Sequence, residues 1–88
     1  MKKTFNYSFE DESAESTISF DYEDVEEKLN VVVENGVPVL YGNKSAFLLL
    51  AKTFSKLSLG SYKDGFHVHL NTDFDSDLEE VIRVVLND

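Results

Sequence analysis

Residues 42–70 read GNKSAFLLLAKTFSKLSLGSYKDGFHVHL, an apolar periodic run followed by a short alternating one. The periodic part has helical spacing, because its apolar residues recur every three or four positions. Asn43 precedes it and is a favourable N-cap, since its side-chain oxygen accepts from a free amide of the first turn. Gly60 follows it and suits the left-handed residue beyond a helix end. The pattern predicts one main helix over residues 44–58.

The predicted helix has an apolar face and a polar face. At 100° per residue, the apolar face comprises Ala46, Phe47, Leu50, Ala51, Phe54 and Leu57. The opposite face carries Lys44, Ser45, Lys52, Ser55 and Lys56. Leu48 and Leu49 project from the flanks. Either they are ordinary exposed leucines, or they extend a contact surface for a partner or a second subunit, which makes them candidate partner-binding residues.

Strict alternation after the helix predicts a strand. Phe66, Val68 and Leu70 would point towards the helix, and His67 and His69 would share the other face. Side chains two positions apart on a strand are close enough for both imidazoles to bind one zinc ion. The two histidines are therefore candidate metal ligands. The alternative is a pair of histidines that face solvent or an interface and hydrogen-bond locally.

A zinc site at this pair would need a third ligand, for which Asp73 and Asp75 are the nearest acids in the sequence. Asp73, Asp75 and Asp77 also resemble the opening of an EF-hand calcium loop. The pattern then fails, because Leu78 stands where the loop needs a glycine. A solvated acidic loop is the preferred interpretation. No cofactor is predicted.

Four other stretches have strand character, namely residues 4–9, 17–22, 29–34 and 37–41. The first two indicate a hairpin with a longer acidic loop. Asn35 and Gly36 join the other two and are the strongest hairpin signal in the chain, because a type I′ turn needs positive φ at both positions. Pro38 cannot donate to a ladder, which predicts an edge strand or a bulge there.

Residues 78–86 are compatible with two types of element. The residues with helical spacing are Leu78, Val81, Ile82 and Val85. Three of those four are β-branched, which favours a strand over residues 80–86 instead. We predict the strand.

Together these elements predict one α+β domain over residues 1–88. Its two layers are a single sheet of about six mostly antiparallel strands and the helix over residues 44–58, packed on one face. The apolar residues on the open face would be Val32, Leu40, Val81 and Val85. A bare apolar face favours coverage by the N-terminal hairpin or by a second chain, so a homodimer is one expected assembly.

Charge limits the function of the chain. It has 17 Asp and Glu against 8 Lys and Arg, a formal net charge of −9. This balance argues against nucleic-acid binding, which needs clustered Lys and Arg, and suits a basic protein partner. The chain has no cysteine, no signal-peptide core and no run of membrane-spanning length, so we expect a cytoplasmic protein with no membrane contact.

The acids form two candidate partner-binding stretches. The residues are Asp11, Glu12, Glu15, Asp73, Asp75 and Asp77. No nucleophile motif, phosphate loop or buried carboxylate pair is recognisable, so neither a catalytic residue nor an enzyme activity is predicted.

Three short motifs in the central stretch resemble one protein family. They are Gly42-Asn43-Lys44, Leu50-Ala51 and His67-x-His69-Leu70. Over residues 42–71 the chain resembles the type thirty-two immunity proteins of bacterial polymorphic toxin systems. The resemblance implies a small α+β protein that binds and neutralises a cognate toxin domain in the cytoplasm. The alternatives are a homodimeric metal- or small-ligand-binding domain that uses His67 and His69, and a structural interaction module that pairs through an exposed β edge.

Overall fold

The computed structural model describes residues 1–23 and 25–88, which contain one helix, four strands and two short 3₁₀ turns. The elements in chain order are a first 3₁₀ turn (Ser13–Glu15), β1 (Leu29–Glu34), β2 (Val37–Gly42), α1 (Lys44–Leu59), β3 (His67–Asn71), a second 3₁₀ turn (Thr72–Phe74) and β4 (Glu80–Val85). The protein is therefore α+β. No helix in the described ranges is long and apolar enough to cross a membrane.

The strands form two separate antiparallel hairpins. β1 pairs with β2, and β3 pairs with β4 with a register shift between Leu70 and Asn71. The prediction of about six strands in a single sheet is therefore wrong. The hairpins meet where β1 contacts the second 3₁₀ turn and β4.

The N-terminal hairpin predicted over residues 4–9 and 17–22 is also wrong, because neither stretch forms a strand. Carbonyl groups of the second stretch bond to side chains instead of to another strand. The Tyr62 hydroxyl donates to the carbonyl oxygen of Thr17 at 2.6 Å. The side chains of this stretch that pack against the core are Ile18 and Phe20. The alternating pattern of residues 17–22 therefore reflects burial of one side of this stretch, which does not pair with another strand.

α1 begins where the sequence predicts. The side-chain oxygen of Asn43 accepts from the Ala46 amide at 2.9 Å, which confirms the N-cap. The helix ends at Leu59. Gly60 has φ −74°, so the prediction of a left-handed residue there is wrong. A Cβ at this position would lie 2.7 Å from the Lys56 carbonyl oxygen, and this close approach explains the glycine.

The buried face of the helix is rotated from the predicted one, although Ala46, Leu50 and Leu57 belong to both. Leu49 is 0% exposed, whereas Phe47 and Phe54 are 46% and 44% exposed. The prediction that Leu49 projects from a flank is therefore wrong, and Leu48 is half-buried. The buried helix residues are Ala46, Leu49, Leu50, Thr53, Lys56 and Leu57.

The N-terminal segment explains this rotation, because it covers the lysine side of α1. The Lys56 ammonium donates to the Ser19 carbonyl oxygen at 2.8 Å and to Asp21 Oδ1 at 3.3 Å, and lies 3.8 Å from Glu12 Oε1. The residue is only 4% exposed. A buried ammonium is tolerated when oxygens surround it in this way. Helical periodicity assigns a face that carries lysine to solvent. Here the N-terminal segment covers that face.

The four observed strands follow their sequence signals. Asn35 has φ 53° and Gly36 has φ 78°, as the predicted turn requires. β4 confirms the strand interpretation of the C-terminal stretch, and Val84 pairs with Val68. The core that α1, β1, β3 and the second turn share consists of Leu29, Ala46, Leu49, Leu50, Leu57, Val68, Leu70 and Phe74.

Candidate functional site

The β1–β2 hairpin, here called the apolar hairpin (residues 29–42), exposes apolar side chains on both faces. One face carries the pairs Val31–Leu40 and Val33–Pro38, and the other carries Val32–Val39 and Glu34–Val37. Val33 is 67% exposed and Val37 is 59% exposed. A two-stranded hairpin is marginally stable by itself, and contiguous exposed apolar surface is typical of protein-binding sites.

The outer edge of β1 pairs with no other strand among residues 1–23 and 25–88. The Leu29 amide points away from β2 and donates to Asp73 Oδ1 at 2.9 Å. Because backbone groups alternate along a strand, the amides of Val31 and Val33 face the same outer edge. This edge therefore offers main-chain donors and acceptors to a strand of a partner. Pro38 lies on the unpaired edge of β2, which agrees with the predicted edge position.

An acidic loop (residues 75–79) follows the second 3₁₀ turn, which contacts β1. Asp75, Asp77 and Glu79 are exposed, and Leu78 is 45% exposed between them. Asp75 Oδ1 accepts from the Asp77 amide at 2.9 Å, which shapes the turn. The loop therefore places negative charge directly after the turn that contacts β1.

The predicted partner-binding acid Asp11 forms hydrogen bonds within the chain. Its carboxylate accepts from the Ser13 amide and the Ser61 amide, each at 3.0 Å. The pKa of Asp11 is lowered, first by the hydrogen bonds from Ser13 and then by those from Ser61. Asp11 therefore joins the first 3₁₀ turn to the segment that follows α1.

Glu12 also forms hydrogen bonds within the chain. It accepts from the Ser19 amide at 2.9 Å and from the Ser19 hydroxyl at 2.7 Å. These bonds, together with the nearby Lys56 ammonium, lower the pKa of Glu12. Glu15 is exposed, but it lies near Tyr62, in the loop before β3. Asp75 and Asp77 thus remain exposed in the loop after the turn that contacts β1, whereas the N-terminal acids lie near residues 61–62 and Lys56.

The prediction of Val32 and Leu40 on one open face is wrong, because they lie on opposite faces of the hairpin, and the exposure of Val33 and Val37 was not predicted. The run of three valines in β1, residues 31–33, indicates only that both alternating faces are apolar. Such a run is typical of a strand covered on both faces, so it does not signal their exposure.

His67 and His69 lie side by side on the exposed face of β3, with ring centroids 4.9 Å apart. Asp73 and Asp75, the predicted third ligands, do not join them. In the part of the chain that the structure describes, no group of three or more His, Asp and Glu is placed to hold a metal ion. His69 instead hydrogen-bonds through Nδ1 to Glu80 on β4.

Glu80 links this histidine to an arginine. Its Oε1 lies 2.8 Å from the guanidinium of Arg83. The hydrogen bonds from Arg83 and then from His69 lower the pKa of Glu80 to about 2. Glu80 is therefore a carboxylate at neutral pH and can only accept hydrogen bonds.

Scans of the chain against protein-family models, curated proteins and solved structures find no match. The resemblance of residues 42–71 to immunity proteins therefore stays a prediction from those residues.

Proposed function

We propose that the protein is a small acidic binding protein that neutralises a cognate toxin domain by stoichiometric binding in the cytoplasm. The apolar hairpin would form the centre of the contact surface. The observation that carries the proposal is the exposure of apolar side chains on both of its faces, as at Val33 and Val37. Burial of apolar surface contributes about 25 cal/mol per Å², so a partner that covers this hairpin gains binding free energy.

Charge supports a basic partner. The chain has a net charge of −9, and the acidic loop adds exposed Asp75 and Asp77 after the turn that contacts β1. A negative field of this kind accelerates association with a basic domain and weakens as salt is added. The unpaired edge of β1 supports a partner that also supplies an extended segment. The resemblance of residues 42–71 supports a toxin domain as that partner.

The test is capture of the partner followed by a neutralisation assay. The full chain is used as bait in native-host lysate at low and at high salt. The captured protein is then expressed in sensitive cells with and without the chain. We expect one basic partner in an equimolar complex, dissociation as salt rises, and survival of the cells only when the chain is present. A partner that is not toxic would overturn the immunity function.

A variant with Val33→Thr and Val37→Thr tests the surface. Valine and threonine have similar shapes and both favour strands, so the hairpin should be retained. We expect binding about tenfold weaker, because apolar contact area is lost at the centre of the interface. Val25→Thr, at a valine that is 61% exposed and lies outside the hairpin, is the matched control and should bind normally. Equal neutralisation by the threonine variant would rule out the hairpin as the contact surface.

The alternative partner of the hairpin is a second copy of the chain, and the mass of the free chain in solution tests this alternative. The proposal expects a monomer or a dimer whose mass the threonine variant does not change. A dimer that the variant dissociates, together with an unchanged toxin interaction, would assign the hairpin to self-association instead.

A further inference from the structure

We propose that His67 and His69 bind a divalent transition-metal ion of the Cu²⁺, Ni²⁺ or Zn²⁺ class through their two Nε2 atoms. The site is separate from the apolar hairpin and does not depend on the proposed immunity function. Neutral imidazole suits these three ions, and the general order of affinities favours Cu²⁺ among them.

The separation of the rings fits a shared ion. A metal ion about 2.1 Å from a ring nitrogen lies about 3.2 Å from the centre of that ring. Two rings bound to one ion at 90° to 110° would therefore have centres about 4.5–5.2 Å apart. The ring centroids of His67 and His69 are 4.9 Å apart. The two ring centres thus already lie at a separation that chelation of one ion allows.

Hydrogen bonds also select the tautomer of each neutral ring. Nδ1 of His67 lies 3.2 Å from the Gly65 carbonyl oxygen, and Nδ1 of His69 contacts the Glu80 carboxylate. Both partners are acceptors only, so the proton of each neutral ring is on Nδ1 and the lone pair is on Nε2. Metal-binding histidines typically donate their other N–H to a carbonyl or a carboxylate in this manner.

The surroundings leave the site accessible. Both histidines are exposed on the outer face of β3. The positive charge nearest to His69 across the hairpin is Arg83, whose guanidinium is paired with Glu80 at 2.8 Å. Because the described residues supply no third ligand, water or the same pair of a second molecule would complete the coordination. Two molecules would together present four imidazoles, which matches tetrahedral zinc.

The experiment is a calorimetric titration of the untagged chain with CuCl₂ and with ZnCl₂ at neutral pH, with the mass of the complex measured in parallel. We expect saturable binding of one ion per chain without a change in mass, or of one ion per two chains with a doubled mass. Either stoichiometry supports the site. The absence of saturable binding of both ions would overturn it.

Three variants and one control test which residues bind the ion. His67→Ala and His69→Ala should each abolish saturable binding, because one imidazole cannot chelate. Glu80→Gln should weaken it about tenfold, since a neutral amide orients His69 less strongly than a carboxylate does. Glu79→Gln changes a neighbouring exposed acid and should bind as the wild type does. Circular dichroism confirms the fold of each variant, and unchanged binding by the folded histidine variants would overturn the proposal.

Discussion

The carboxylate of Asp73 accepts a hydrogen bond from the backbone amide of Leu29 at 2.9 Å, across 44 residues of chain. The bond joins the first residue of β1 to the turn between β3 and β4. Leu29 is 1% exposed, so its amide would otherwise lack a partner in the interior. Asp73 has φ 53°, a left-handed conformation that Asp and Asn tolerate better than most residues. A side chain, and not a ladder, therefore connects the two hairpins at this point.

Replacement of Asp73 tests this connection. Asp73→Ala should lower the free energy of unfolding by about 1–3 kcal/mol, because it leaves the Leu29 amide unpaired. Asp73→Asn keeps an acceptor oxygen and the tolerance for positive φ, so it should lose less. Urea unfolding followed by circular dichroism measures both values. Equal stability of the alanine and asparagine variants would contradict the role assigned to the hydrogen bond.

Lys56 provides a second test, because its buried ammonium bonds to the N-terminal segment. Lys56→Met keeps most of the aliphatic stem and removes the donors to the Ser19 carbonyl and Asp21. We expect a loss of about 1–3 kcal/mol from the unpaired carbonyl, with little added by the partly solvated carboxylates. Lys63→Met, at an exposed lysine in the loop before β3, is the control. Faster proteolysis of residues 1–23 in the Lys56 variant would locate the lost contact.

The orientation of α1 can be tested at two adjacent leucines. Leu49 is 0% exposed and Leu48 is half-buried. Leu49→Ala should therefore cost about 2–5 kcal/mol, as expected for a core leucine, and Leu48→Ala should cost clearly less. Thermal or urea unfolding of the two variants gives the comparison. A larger loss at Leu48 than at Leu49 would contradict this orientation of the helix.

The pH dependence of stability should report on Glu80. Its pKa is about 2 in the folded chain, below the ordinary value of 4.5. Between these two pH values the unfolded chain binds more protons than the folded chain. The contribution of Glu80 to the free energy of unfolding is therefore present above about pH 4.5 and is lost as the pH falls towards 2. The lowered pKa values of Asp11 and Glu12 act in the same direction.

Glu80→Gln removes one of these three contributions. The urea midpoint of the variant should fall less between pH 5.5 and pH 3 than that of the wild type. Glu79→Gln should behave like the wild type, because the Glu79 side chain forms no ion pair with a described residue. Identical pH profiles for all three proteins would show that Glu80 contributes nothing to acid stability.

The local features of the fold could be predicted from the sequence. Asn43 as the N-cap, the turn at Asn35 and Gly36, and the C-terminal strand were all correct. Each depends on residues within a few positions of one another, because a cap or a tight turn is stabilised by its own side chains and φ angles. The adjacency of His67 and His69 is of the same kind, since it follows from strand geometry.

The candidate surface could be predicted only in part. The acidic loop was identified, but Asp73, in the 3₁₀ turn before it, bonds to Leu29, and Asp11 and Glu12 bond within the chain. A carboxylate has the same sequence signature whether it faces solvent or accepts from a distant amide. The hairpin is exposed because no strand among the described residues covers it. The sequence of residues 29–42 alone does not indicate whether another part of the chain covers them.

By itself, the sequence determined the type and approximate bounds of the helix and of the four strands that form, because short-range hydrogen bonding and φ preferences set them. Only the tertiary structure decided which face of α1 is buried, since the N-terminal segment covers the side that carries Lys56. It also decided that the hairpins remain separate sheets linked at Asp73. These features depend on contacts between residues 35 or more positions apart, which periodicity within one element does not encode.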